Sequence, residues 1–255
     1  INVKKSNPKA TDANEARLNQ HWLAGLIDGS GNFLITKAGY ASLEITASCT
    51  DLPMLLRVQK QYGGSVKPRA GSRSVRYRCK RKLDLLVILR AINGIIRNHV
   101  RHKQYVSVCH LYGVNVLVGT TKPYSWNSAY ASGLWDSGGT IRLNHALNMQ
   151  LVISITEKQE NNLSFLAHCE EKSFGNIVYD KSQNGYFTWY VTRRTEVLQF
   201  CDYFNRYPCL SVRSHRIKLV STYYSLTDAK CHLSTNLAQR QCWSDFVNDW
   251  FFYIV

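Results

Sequence analysis

The chain has no uninterrupted apolar run of about 18 residues, so nothing in its 255 residues is long enough to span a membrane as a helix. The longest apolar stretch near an end, Trp250 to Val255, is far too short and reads as core packing. CxxC pairs are also missing. Eight cysteines are scattered singly, which gives neither a zinc signature nor a compact disulfide framework, so buried free thiols in a reducing compartment are expected. No metal site and no cofactor are read from the residues. The chain begins at Ile1 rather than Met, and no signal or transit peptide is visible. A removed targeting segment or an incompletely known sequence would explain this.

Acidic residues are scarce, at 17 against 32 Lys and Arg, for a formal charge of +15. Such a balance points to a polyanionic partner, nucleic acid first and an anionic membrane surface second. The shortage is local. Residues 1–125 carry 20 basic and 6 acidic side chains, whereas residues 126–255 carry 12 and 11. Hydrophobic residues at 45% and aromatics at 12% allow a sizeable core and exclude global disorder.

One unit is written twice. His21-Trp-Leu-Ala-Gly-Leu-Ile-Asp-Gly-Ser-Gly-Asn-Phe33 returns in degraded form as Ala129-Tyr-Ala-Ser-Gly-Leu-Trp-Asp-Ser-Gly-Gly-Thr-Ile141, pairing Gly25 with Gly133 and Asp28 with Asp136. After the first copy come alternating runs at 32–37 and 42–50. In the second run Leu43, Ile45, Ala47 and Cys49 point one way, as in a half-buried strand. A helix over 51–62 closes on Gly63-Gly64, two strand-like pieces follow, and helices are expected near 83–92 and 100–112. After the second copy, strands are expected near 139–145, 149–156, 176–180 and 186–193, with helices near 161–171, 195–205 and 211–226. Each unit is summarised as αββαββα. The organisation is an extension (1–17), a first unit (18–112), a linker containing Gly119 and Pro123 (113–125), a second unit (126–227) and an unplaced extension (228–255).

Leu23-Ala-Gly-Leu-Ile-Asp-Gly-Ser-Gly31 resembles the motif of the LAGLIDADG homing endonucleases, matching seven of nine positions. The resemblance implies an α+β fold of two pseudo-symmetric units in one monomeric chain, each unit with a four-stranded antiparallel, saddle-shaped sheet. The motif helices would pack through the small residues Gly25, Gly29, Gly133 and Ser137. It also implies an acid at the eighth motif position of each copy, the two jointly holding divalent cations, which need oxygen ligands. This sequence has Ser30 and Gly138 there. The sixth-position acids Asp28 and Asp136 look structural in the family. On this reading the chain has lost cleavage and is not an enzyme. A basic residue on each unit's last helix is a further family feature, and Arg101 and Arg213 fall closest to it.

The nucleic-acid surface is read from residues 67–82, which hold Lys67, Arg69, Arg73, Arg76, Arg78, Lys80, Arg81 and Lys82 and no acid before position 84. Arg76, Arg78 and Lys80 alternate with Val75, Tyr77 and Cys79, so on a strand the cations share one face. Such cations contact phosphates chiefly. The corresponding second-unit strand is aromatic, and Tyr186, Trp189 or Tyr190 could stack on unpaired bases. The partner is expected to be structured RNA in preference to DNA, in a mitochondrion or other organelle and without membrane attachment. It would be ribosomal RNA in a ribosomal or ribonucleoprotein assembly, or intron RNA bound by a maturase. A divergent endonuclease or sequence-specific DNA-binding protein is the alternative.

Overall fold

In the computed structural model the described residues are 8–117, 126–144, 149–158, 174–182 and 185–252. The chain order is α1 (Pro8–Ser30), β1 (Gly31–Ile35), β2 (Ala41–Ser48), a short 3-10 turn (Cys49–Asp51), α2 (Leu52–Tyr62), β3 (Ser65–Pro68) and β4 (Ser74–Cys79). Helices α3 (Lys82–Ala91) and α4 (His99–Tyr112) complete the first unit. The second contains α5 (Tyr130–Gly138), β5 (Gly139–Asn144), β6 (Gln150–Glu157), β7 (Asn176–Asp180), β8 (Tyr186–Val191), α6 (Arg194–Arg206) and α7 (Arg213–Asp228). A last helix, α8 (Leu237–Phe251), follows.

The expected strands and helices appear within a few residues of their sequence bounds. Three differences stand out. Helix α1 begins at Pro8, so it runs unbroken from within the expected N-terminal extension into the motif. Each unit closes on two helices rather than the one of the αββαββα formula. The helix expected at 161–171 lies outside the described residues, as do 118–125 of the linker.

The two sheets have one topology, β1-β2-β4-β3 and β5-β6-β8-β7, with every pairing antiparallel. Strand alternation sorts the side chains. Phe33, Leu43, Ile45, Val75, Tyr77 and Cys79 are buried on the core face of the first sheet. Glu44, Thr46, Arg76, Arg78 and Lys67 share the opposite face. In the second sheet Ile141, Ile153, Ile155, Trp189 and Val191 are buried, and Thr140, Ser154, Thr156, Thr188 and Tyr190 lie on the other side. Beneath the second sheet Trp135 packs on Phe200 and Phe204, with ring centroids 5.3 and 5.6 Å apart.

The units meet where α1 crosses α5, and glycine sets the distance. A Cβ on Gly25 would run into the Tyr130 carbonyl oxygen and lie 2.8 Å from Leu134 N. One on Gly133 would run into the Trp22 carbonyl oxygen and lie 2.8 Å from Leu26 N. Each glycine thus lets one helix backbone rest against the other, and at Gly29 the space is filled by the Ser137 side chain. The four small residues expected at this seam are therefore at it.

The extension left unplaced by the sequence folds back on the second unit. Asn236 caps α8 by accepting from Ala238 N and Gln239 N. Phe246 and Trp250 are buried against α7, while Phe251 and Phe252 are exposed, which limits the core role expected of 250–255 to its first residue among those described. Among the described residues the cysteines are free thiols, but Cys49 and Cys242 are exposed, so burial holds for only part of the set. No described helix is long and apolar enough to cross a membrane.

Gly25→Ala or Gly133→Ala should therefore destabilise the chain by about 3 kcal/mol, because the obstruction is backbone and cannot swing away. Nothing lies within 4 Å of a Cβ at Gly138, so Gly138→Ala should stay within about 0.5 kcal/mol of the parent. Urea denaturation of the three variants checks both expectations.

Candidate nucleic-acid interface

The motif helices end on two buried carboxylates. Asp28 Oδ2 accepts from Arg97 N (2.7 Å) and Asn98 N (3.1 Å), just before α4, and from the Tyr130 hydroxyl of the other motif helix (2.5 Å). Asp136 repeats the pattern. Its oxygens accept from Leu210 N (2.8 Å) and Ser211 N (3.1 Å), just before α7, and from Trp22 Nε1 of the other helix (2.8 Å). Each carboxylate thereby joins three elements and both units. Burial pushes the Asp28 carboxyl up from 3.8 to about 6, against the opposing pull of the Tyr130, Arg97 and Asn98 hydrogen bonds and the Arg101 charge. Burial raises Asp136 as well.

Beside these ends lie the eighth-position residues. Ser30 is half-buried and its hydroxyl donates back to the Leu26 carbonyl at 3.2 Å. Gly138 is exposed and opens on empty space. An open concavity of about 610 Å³ next to Gly29 is lined by Thr156, Glu157, Lys158, Gly185 and Tyr186.

The first saddle carries the positive charge. Lys67, Arg69, Arg76, Arg78, Lys80 and Arg81 line an open concavity of about 680 Å³ together with Gly64, Ser65, Pro68, Ala70 and Asp84. Six of the eight sequence candidates in this stretch thus converge. The other two do not line it. Arg73 sits exposed in the β3–β4 turn, and Lys82 turns toward α4, its Nζ 5.1 Å from the centre of the Tyr112 ring. Arg81 bonds Asp84 at 2.9 Å. Sequence reasoning missed Glu44, whose carboxylate bridges Arg78 (2.5 Å) and Arg76 (3.1 Å) on the open face.

The two last-helix arginines are engaged inside the protein. Arg101 Nη1 donates to Gln104 Oε1 at 3.1 Å. Arg213 Nη1 donates to buried Asp51 (3.2 Å) and to the Asp136 carbonyl (3.1 Å), while Asp51 also accepts from Val212 N (2.9 Å). Arg213 therefore clasps the second unit to the first, the role its position in sequence did not reveal. In the second saddle Trp189 is fully buried, its Nε1 donating to the Phe174 carbonyl, and it cannot stack on a base. Tyr186 and Tyr190 are half-buried, and Tyr186 bonds Asp180 at 2.9 Å.

Comparison with known proteins decides the family. A model described as LAGLIDADG endonuclease matches residues 131–224. The chain is 32% identical to the intron-encoded DNA endonuclease ai2b of Dictyostelium discoideum, covering 90% of this chain and 88% of that protein. The chain belongs to the LAGLIDADG endonuclease family. It is also 36% identical to the intron-encoded RNA maturase bI4 of Saccharomyces cerevisiae and 34% identical to a probable intron-encoded endonuclease aI2 of Debaryomyces hansenii. Those two matches cover 98% and 96% of the chain but only 40% of each relative, so the chain spans under half the length of these proteins. Among solved structures, the meganuclease I-SmaMI bound to uncleaveable DNA shares the fold, with a TM-score of 0.66 at 17% identity over 92% of this chain and 98% of that one.

These relatives correct one expectation. Ser30 and Gly138 led to the reading that the chain is not an enzyme, yet this same segment is similar to proteins named as endonucleases. The physical reason is that two motif positions do not exhaust the oxygen donors a hard cation can use, since carboxylates elsewhere, carbonyls, waters and phosphates all serve. At the motif ends, Ser30 is committed to a backbone carbonyl, Gly138 has no side chain, and Asp136 is engaged through both oxygens, while Asp28 is engaged through Oδ2 alone and its buried Oδ1 has no hydrogen-bond partner, so the eighth positions do not supply the paired acids that the LAGLIDADG motif implies. Among the described residues no group of three or more His, Cys, Asp or Glu is placed to hold a metal.

Two outcomes follow from this geometry. Because the folded Asp28 carboxyl titrates above its ordinary value, the native state holds the proton more tightly than the unfolded chain between about pH 4 and pH 6, so stability from this group falls as pH rises through that window. The stability of the parent relative to Asp28→Asn should fall by about 2 kcal/mol from pH 4 to pH 6.5. A pH-independent difference in urea melts would contradict it. Asp51→Ala removes the acceptor of two donors at the seam, Val212 N and Arg213 Nη1, and should cost about 3 kcal/mol in the same assay.

Proposed function

We propose that this chain is an intron-encoded protein of the homing-endonuclease type, acting in a mitochondrion, whose two saddles seat one DNA duplex. The observation that supports it is the pair of like sheets held in tandem by α1 and α5, the first of them presenting six cations around one concavity. Phosphate neutralisation by Lys and Arg supplies affinity and register without sequence, and side chains on the strand face are placed to meet base edges. Relatives named as DNA endonucleases and the DNA-bound I-SmaMI fold support DNA as the partner.

A second reading is binding of intron RNA as a maturase. It is favoured by the similarity to the RNA maturase bI4 and by Tyr186 and Tyr190 at the open face of the second saddle, which suit unpaired bases. A ribosomal role gains no support from the relatives named here.

Selection from a randomised duplex library, with folded intron RNA as competitor, tests the choice. Enrichment of one long duplex site that resists the RNA supports the DNA reading. Displacement by RNA, with no enriched site, contradicts it. Within the bound complex, Arg76→Ala, Arg78→Ala and Lys80→Ala together should lower the salt slope of log K by up to about three. Arg193 and Arg194 lie with Glu196 and Asp228. An equal loss on neutralising that pair would show that the first saddle does not dominate.

A further inference from the structure

A carboxylate on the open face of the cationic saddle is costly if the saddle only clamps phosphates. Glu44 lies there, 15% exposed, on β2 directly opposite Arg78 and one strand pair from Arg76. Its negative charge opposes every phosphate brought to the concavity. A surface built only for phosphate affinity would do better with Gln or Thr, as at neighbouring Thr46.

The geometry gives the charge another use. Arg76 and Arg78 stand two residues apart on β4, so both point to the same face. One oxygen of Glu44 meets Nη2 of Arg78 at 2.5 Å and the other meets Nη1 of Arg76 at 3.1 Å. The Nε atoms of both arginines are enclosed by protein and have no hydrogen-bond partner. Each guanidinium is therefore held by one terminal nitrogen on Glu44, while its Nε is packed against protein without a bond. A free arginine samples many rotamers and loses them on binding, whereas a pinned one has its plane set in advance. A fixed planar fork suits bidentate recognition of a base edge, and the edge that offers two acceptors to arginine is guanine O6 and N7 in the major groove. Around this centre Lys67, Arg69, Lys80 and Arg81 supply the point charges that phosphates need.

We propose that Glu44 is a specificity-determining positioning residue, which holds Arg76 and Arg78 as readers of guanine in the duplex half seated on the first saddle. The inference rests on the duplex reading above. It divides the saddle into a reading centre on β2 and β4 and a phosphate-binding surround.

The test uses the full chain with the duplex recovered by selection, and with copies in which single guanines are replaced by 7-deazaguanine, which lacks the N7 acceptor. The parent should lose about fivefold in affinity at one or two guanines of the first-saddle half, as expected when one of the two acceptors of a bidentate contact is removed. Glu44→Gln should erase that sensitivity, raise affinity for unrelated duplex and steepen the salt slope by about one to two as the arginines turn to phosphates. Glu44→Asp keeps the charge and shortens the reach, so it should lose the sensitivity without the gain in unrelated binding. Circular dichroism melts verify that each variant folds, and Arg78→Lys, which abolishes the fork while keeping the charge, replaces Glu44→Gln if that variant fails to fold. Full 7-deazaguanine sensitivity in the Glu44 variants would overturn the inference, as would no sensitive guanine in the parent or a uniform weakening on all duplexes. Failure of the parent to bind any duplex would instead overturn the duplex reading.

Discussion

Two buried carboxylates, Asp28 and Asp136, are the constraint on which the arrangement of the halves depends. A carboxylate removed from water is costly unless donors surround it. Each here takes two backbone N–H groups from the segment entering a late helix of its own unit and one side-chain donor from the opposite motif helix. The bonds fix the rotation of α1 against α5, and the glycine contacts at Gly25 and Gly133 fix their separation. Because β1 and β5 leave directly from the C-terminal ends of these helices, the same contacts fix where both saddles begin. The Asp51–Arg213 pair adds a second tie between units.

The halves share a topology but differ in substance. The first buries aliphatic side chains together with Phe33, Tyr77 and Tyr105 under a saddle lined with arginine and lysine. The second buries an aromatic cluster of Trp135, Trp189, Phe200 and Tyr203, with half-buried Trp126 packed against it, under a saddle lined with threonine, serine and tyrosine. Helix α8 adds bulk to the second half only, where Arg216 packs on Trp250 and Phe251 while donating to the Trp250 and Ile141 carbonyls. One duplex lying across such a pair would be held mainly by charge on one side and by neutral polar and aromatic contacts on the other.

Local pattern made the repeat and the strands legible. Gly25, Asp28, Gly133 and Asp136 keep their spacing, and the alternation through 74–79 places cations on one face whatever the strand pairs with. Contacts across the fold were not legible. Glu44 meets Arg78 only because β2 lies in register beside β4. Arg213 meets Asp51 across 162 positions of sequence, so its charge read as a nucleic-acid contact. Helix α8 did leave a signal, since Trp243, Phe246, Val247 and Trp250 follow helical spacing behind the Asn236 cap. The motif acids by themselves do not report activity, because two positions do not stand for a whole ligand set.

Hydroxyl-radical footprinting of the selected duplex at rising salt tests the central claim most directly. The account predicts one continuous footprint spanning both saddles at low salt, in which protection over the second-saddle half is lost first and protection over the first-saddle half persists. A footprint confined to the second-saddle half, or no duplex footprint alongside firm protection of folded intron RNA, would contradict it.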